Sequence, residues 1–167
     1  MVKNLMAIIT ATIFLLLLML IVRAWKQRIL QQTNSFSEPL EALDFFGELI
    51  AQAKAFYVAT TFAESLLERI AAYGLGPRGN AQIFIFSEGL LIVRTGERPL
   101  AIDRASITSV SLGQVAIDKV VETDGLIQVN WSQDSVKLST HLRIVDEKSR
   151  KEILQSANSL LAKEETK

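Results

Sequence analysis

From Leu5 to Val22 the chain runs 18 residues without a charge, and Thr10 and Thr12 are the only polar residues among them. A helix rising about 1.5 Å per residue carries such a run across about 27 Å, close to the hydrocarbon thickness of a bilayer. Twelve of these residues are Leu, Ile, Phe or Val. At about −0.3 to −0.6 kcal/mol each, they supply roughly −4 to −7 kcal/mol of apparent insertion free energy. Each threonine hydroxyl can bond back to the carbonyl one turn earlier, so neither obstructs insertion. A cleaved signal peptide would have a core of about 7–15 residues followed by small residues; here Arg-Ala-Trp-Lys-Gln-Arg follows instead. A buried core helix would need cover around its whole circumference, and nothing nearby supplies it. Residues 1–28 therefore read as a retained membrane anchor with its flanks. Leu5, Ile8, Ile9, Phe14, Leu18 and Val22 face lipid in this reading, and Trp25 lies at the headgroups.

Orientation follows from positive charge at the two ends of the span. Arg23, Lys26 and Arg28 follow it, against Lys3 and the terminal amine before it. The positive-inside rule places the larger, C-terminal part in the cytoplasm. Ala7 and Ala11 form a small-xxx-small pair that permits close helix packing.

Composition removes several function classes. Eighteen Lys and Arg balance 18 Asp and Glu, which argues against a nucleic-acid binder held by bulk charge. There is no cysteine and one histidine, so disulfide frameworks, thiolate zinc sites and cysteine nucleophiles are excluded. From residue 29 onward, 14 basic residues meet 18 acidic ones, so anionic headgroups attract that part weakly.

Residues 29–53 read as a linker and a short amphipathic helix. Thr33 to Glu38 is polar, Pro39 suits a first helical position, and Leu40, Leu43, Phe46 or Gly47, and Ile50 recur at helical spacing. Its acidic face, Glu41, Asp44 and Glu48, favours docking on the domain over lying on an anionic bilayer. Residues 54–163 read as one domain of short strands. Phe56–Thr61 is rich in β-formers. Gln82–Phe86 and Leu90–Arg94 meet across Ser87-Glu88-Gly89, read as a three-residue hairpin loop. Leu100–Asp103, Ile107–Leu112, Val115–Val121 and Leu126–Trp131 follow, with Asp124-Gly125 as a hairpin signal. Val136–Val145 alternates Val136, Leu138, Leu142 and Ile144 with Lys137, Ser139, His141 and Arg143, a half-buried strand with one wet face. Asp146 caps a closing helix whose stripe is Ile153, Leu154, Ala157, Leu160 and Leu161. Residues 164–167 fray. The expected fold is mainly β with helices: an N-terminal transmembrane helix, then a small antiparallel barrel or sandwich capped by a C-terminal helix.

Strand order and closing helix resemble a pleckstrin-homology (PH)-like barrel. Tyr57-Val58-Ala59-Thr60-Thr61, Arg69-Ile70-Ala71, Gly89-Leu90-Leu91-Ile92 and Asp118-Lys119-Val120-Val121 through Gly125-Leu126 to Trp131 resemble a family of actinobacterial single-span membrane proteins with a PH-like domain. The resemblance implies a bacterial plasma membrane and a non-catalytic module, and it carries over no functional residues.

Gly74-Leu75-Gly76-Pro77-Arg78-Gly79 matches G-x-G-x-x-G, but the dinucleotide site needs that motif between a strand and a following helix. Here a hairpin follows, and Glu64 to Tyr73 before it reads as helical or irregular. Gly76 and Arg78 remain as a weak ligand loop, because Arg78 has no basic neighbour between Arg69 and Arg94. His141 shares no metal-ligand spacing with another residue and reads as solvated or edge-facing. Asn130-Trp131-Ser132 matches a glycosylation sequon only by pattern, and Trp131 reads as core. Asp118, Glu122 and Asp124 border a turn and read as solvated. The sequence implies no catalytic residue, cofactor, metal, small-molecule substrate or nucleic-acid partner. The expected function is a membrane-tethered, non-enzymatic interaction or scaffold module, with the bilayer and a membrane or cytoplasmic protein as partners. Its docking site is expected at a sheet edge or in a groove beside the C-terminal helix. The rival classes are an accessory subunit of a transporter or envelope complex, acting through the anchor, and a nucleotide-binding enzyme using the Gly74–Gly79 loop.

Overall fold

The computed structural model describes residues 2–42, 44–113 and 126–162. Leu43, the Val115–Val121 strand, Asp118, Glu122, the Asp124-Gly125 turn and the tail at 164–167 lie outside the described residues. Helix α1 spans Val2–Ser35 without interruption, since no Gly or Pro occurs before Pro39. Thr10 and Thr12 donate to the carbonyls of Met6 and Ile8, each at 2.9 Å. No part of its apolar window is buried, and it is long and apolar enough to cross a membrane.

Eight strands follow: β1 Leu49–Phe62, β2 Ser65–Arg69, β3 Gly79–Phe86, β4 Gly89–Arg94, β5 Leu100–Asp103, β6 Ile107–Gly113, β7 Leu126–Gln133 and β8 Val136–Arg143; helix α2, Glu147–Ala162, closes the order. They form one antiparallel sheet in the order β5-β4-β3-β1-β8-β7-β6, with β2 added on β1. The fold is thus an apolar N-terminal helix, an open PH-like sheet and a C-terminal helix. Helix α2 packs on β1, β3 and β6. Asp146 caps it, accepting from the Ser149 amide at 2.8 Å, and Ile153, Ala157 and Leu160 are buried. Ala51, Ala53 and Ala55 are buried or half-buried members of the β1 core side, small enough to let a helix approach the sheet.

The amphipathic helix expected across 39–53 does not form. Its apolar residues instead build a strap, and from Leu49 they enter β1. The Leu40 carbonyl accepts from Ala101 on β5 at 2.8 Å, Phe46 accepts from Glu88 at 3.1 Å, and Glu48 accepts from Ser87 at 2.9 Å. A helix would consume those carbonyls itself and leave the sheet's N–H groups unpaired. Gly47 adopts φ 75°, and a Cβ there would lie 1.9 Å from the Ser87 hydroxyl, so the strap needs a glycine at this point. The segment read as helical or irregular before Tyr73 holds β2 and a 3-10 turn at Ala72–Gly74. Phe86 pairs with Gly89, so the β3–β4 turn has two residues, Ser87 and Glu88, not three.

Strand β1 is the spine. A bulge between Tyr57 and Ala59 moves the inward parity from odd residues to even ones. Tyr57 and Thr60 consequently share the core with Trp131 and Thr140, all essentially without exposure. Their polar groups form one chain: Trp131 Nε1 to Thr140 Oγ1 at 3.0 Å, Thr140 to Thr60 at 2.8 Å, Thr60 to Tyr57 Oη at 2.8 Å, and Tyr57 Oη to the Leu75 carbonyl at 2.8 Å. Only the indole N–H at one end must donate and only the carbonyl at the other must accept, so every hydroxyl donates toward Leu75. Burial pushes the Tyr57 phenol up to about 12.

The wet face expected on β8 is wet only at its ends. Lys137 and Arg143 are exposed, whereas Ser139 and His141 between them are as buried as Leu138 and Leu142. Ser139 is satisfied by Asn130 Oδ1 at 2.7 Å. His141 Nε2 lies 3.4 Å from Thr61 Oγ1, and its Nδ1 is buried without a partner. Burial depresses the His141 imidazole to about 4, so it is neutral at pH 7 and not the solvated histidine expected.

Candidate functional site

The most specific construction in the molecule is where α1 meets the sheet. Gln32 is 3% exposed. Its Oε1 accepts from the amides of Ala71 at 2.7 Å and Ala72 at 3.2 Å, while its Nε2 donates to the Arg69 carbonyl at 3.1 Å. One side-chain amide thus does the work of a strand edge for the end of β2. Arg28 Nη2 reaches the same Arg69 carbonyl at 3.4 Å. One turn on, Tyr73 Oη is 3.1 Å from the Thr33 carbonyl and 2.8 Å from that of Phe36, and its ring meets Phe36 edge-on at 5.4 Å. Phe36 is 4% exposed, so the expected linker is a docked stalk. The Ser37 amide donates to Asp134 Oδ2 at 2.7 Å, and Gln133 Nε2 to Ser37 Oγ at 2.9 Å. Hydrogen bonding from Ser37, its backbone amide first, holds the Asp134 carboxyl below its usual range. Glu38 and Glu41 pair with Arg98 at 2.8 and 3.1 Å.

Among the topology-setting charges, Arg23 and Lys26 are exposed on α1, whereas Arg28 is committed to the domain. Leu5, Ile8, Ile9, Phe14, Leu18, Val22 and Trp25 are all exposed and stand along one helix without being gathered into a site. Gly76 and Arg78 lie in the loop leading to β3, Arg78 exposed and Gly76 half-buried. The basic residues on either side of that loop turn inward. Arg94, 4% exposed, donates to the carbonyls of Gly74 at 2.6 Å and Arg98 at 2.8 Å, with its guanidinium 4.9 Å from the Tyr57 ring centre. Arg69 Nη2 donates to the Val58 carbonyl. These two cations are spent on backbone carbonyls and brace the loop. A strand, β3, follows Gly79 where a dinucleotide site requires a helix. Among the described residues no group of three His, Asp or Glu could hold a metal ion.

A groove of about 800 Å³ opens beside the start of α2, lined by Lys54, Phe56, Asn80, Arg143, Val145 and Glu147 among others. Phe56 is 37% and Val145 79% exposed. Asp146 is occupied in capping and Glu147 holds Lys151 at 2.6 Å. Among the described residues neither Lys54 nor Arg143 has a carboxylate at salt-bridge distance.

The description "Bacterial PH domain-like" fits the chain over residues 39–158. The chain belongs to that family. Its matched span begins at Pro39, after the stalk, and reaches into α2. PH-like domains are typically non-catalytic modules. No curated protein matches the chain. It is similar to a chain of the 8S snRNP assembly intermediate at 9% identity, covering 74% of this chain and 88% of that one with a TM-score of 0.49. It is also similar to a structure described as showing a critical structural role for the PH and C1 domains of the Vav1 exchange factor: 14% identity, TM-score 0.44, 81% of this chain. This PH-like chain spans 33% of that Vav1 chain.

Gln32, Tyr73, Asp134 and Arg94 went unread in the sequence. Phe36 alone left a signal, as a solitary aromatic residue in a polar stretch.

Proposed function

We propose that this PH-like protein is a single-span, membrane-tethered, non-catalytic interaction module, with its domain on the cytoplasmic face of a bacterial plasma membrane, as in the single-span actinobacterial proteins it resembles. One observation carries the reading: an apolar helix that none of the described residues covers continues unbroken into a stalk docked on the domain through Gln32. A tether raises the effective concentration of the domain toward other membrane proteins. A docked stalk adds a fixed orientation, so the groove at Phe56 and Val145 is always presented the same way to the bilayer. Its apolar floor and the cations Lys54 and Arg143 suit an acidic, apolar segment of a membrane or cytoplasmic protein.

Membrane fractionation with alkaline carbonate tests the tether: the chain stays with the pellet, and release into the supernatant overturns it. Reporter fusions at Lys167 test the orientation, a signal only from a reporter active outside the cytoplasm being the contrary result. Photo-crosslinkers at Phe56 and Val145 should capture a partner that the same probe at Arg104 does not.

A further inference from the structure

Strands β1 and β3 pair in regular register from Ala51 to Phe56. Ala51, Ile83 and Ile85 are buried, so the alternate pairs, Gln52 with Phe84, Lys54 with Gln82 and Phe56 with Asn80, face outward. At one end of this outward face Arg143 pairs with Phe56, and the groove there holds Lys54 and Arg143. Its two acidic groups are engaged within the chain, Asp146 with the Ser149 amide and Glu147 with Lys151. At the other end the strap is tied to the β3–β4 turn with Asp44 and Glu48 exposed. Among the described residues neither carboxylate has a cation at salt-bridge distance. Between the two ends the surface is apolar. The rings of Phe46 and Phe84 lie 4.8 and 6.4 Å from that of Phe86, Leu49 pairs with Phe86, and Phe45, Leu49 and Ile50 are 72%, 46% and 43% exposed. A hollow of about 390 Å³, lined by Gln52, Lys54, Gln82 and Phe84 among others, carries this stretch on to the groove.

One face is thus acidic at one end, apolar along its middle and basic at the other, a pattern that a two-fold axis crossing the strands makes self-complementary. We propose that two copies of the chain pair through this face, the strap of each seated in the groove of the other. Asp44 and Glu48 of one copy then meet Lys54 and Arg143 of the second, and Phe45 enters the groove beside Phe56 and Val145. The strap does not reach the groove of its own chain. It is held at Ser87 and Glu88, and the groove lies at Asn80, about 16 Å or more down β3. Hydrogen bonds at Phe46 and Glu48 fix the backbone beside Phe45, so its ring is an anchor already in place before contact. Both copies stand in one bilayer, which raises the effective concentration of each for the other. This pairing rests on the groove reading above, since it supplies the acidic, apolar segment from a second copy.

Full-length chain with a photo-crosslinking residue at Val145 would be mixed with heavy-isotope-labelled chain in vesicles of phosphatidylethanolamine and phosphatidylglycerol. Irradiation should join the probe to a labelled peptide covering residues 44–48. Phe45→Ala in the labelled copy should lower that yield at least about fivefold without moving its thermal midpoint, since the ring is exposed. Lys54→Glu with Arg143→Glu in the probe copy should abolish the adduct, and Asp44→Lys with Glu48→Lys in the labelled copy should restore it. No adduct with labelled chain, or one that maps elsewhere on it, overturns the pairing, as does a yield that Phe45→Ala leaves unchanged. A charge swap that fails to restore the adduct overturns the placing of strap on groove. In cells, a Val145 probe that joins another protein and never a second copy overturns the pairing and leaves the docking groove standing. A probe that joins nothing in vesicles or in cells overturns both.

Discussion

The two halves of α1 share one unbroken backbone and do opposite things with it. From Leu5 to Val22 every side chain points away from the rest of the protein. From Arg28 to Ser35, with Phe36 just beyond, the helix is fastened to the domain by an arginine, a buried glutamine and two backbone carbonyls. The first half is defined by a bulk property, apolar area in the wrong solvent, which survives many substitutions. The second is defined by particular atoms in particular places, so one substitution can undo it. Where a helix needs a medium, composition carries the function; where it needs a partner, geometry does.

Changes on the two sides should therefore separate cleanly, beginning with the largest. Leu15→Arg with Leu18→Arg should remove roughly 6 kcal/mol of insertion free energy, shifting the chain from the carbonate pellet to the supernatant. The thermal midpoint of the domain should not move, because neither leucine touches it. A falling midpoint would mean that the halves are coupled.

The next effect belongs to the domain alone. His141 titrates at about 4 in the fold and near 6.5 in the unfolded chain. The folded state thus prefers the neutral ring, and its contribution is complete above about pH 6.5. It is lost as the pH falls toward 4, a decline of about 3 kcal/mol. Denaturant titrations across that window should show the decline in the parent and a flattened profile in His141→Gln. Asp134 acts in the same direction but lower, since its depressed pKa costs the fold only below the ordinary carboxylate range.

Gln32→Leu should cost about 2 kcal/mol by leaving the Ala71 and Ala72 amides without their acceptor. Hydrogen exchange at those amides should accelerate while membrane retention is unchanged, which would sharpen the contrast between the halves. Smallest is Arg98→Ala, which breaks exposed pairs with Glu38 and Glu41 and should change stability by less than about 1 kcal/mol in equilibrium unfolding.

Several elements were legible because they rest on local pattern. The apolar helix α1, the β3–β4 hairpin, β5 to β8 and the capped stripe of α2 each announce themselves by composition, periodicity, turn residues or a cap. What misled was periodicity shared by two answers. Leu40, Phe46 and Ile50 recur as a helix would require, yet the sheet's unpaired N–H groups at Ala101, Ser87 and Glu88 claim that segment's carbonyls. The alternation along β8 marks Lys137 and Arg143 as exposed, and they are, but that Ser139 and His141 between them are buried depends on neighbours that no local pattern encodes. Of the proposed docking groove, the sequence pointed only to a place beside the C-terminal helix and named none of its residues.

Taken alone, the amino-acid order determined that one segment is too apolar for water and that the remainder makes short strands closed by a helix, because solvent preference and backbone propensity act over a few residues at a time. Tertiary structure alone decided that Thr33–Phe36 is a docked stalk, that Gln32 completes a strand edge, and that His141 is neutral and buried. Each of these depends on residues tens of positions apart arriving within about 3 Å of one another, the range over which a hydrogen bond acts.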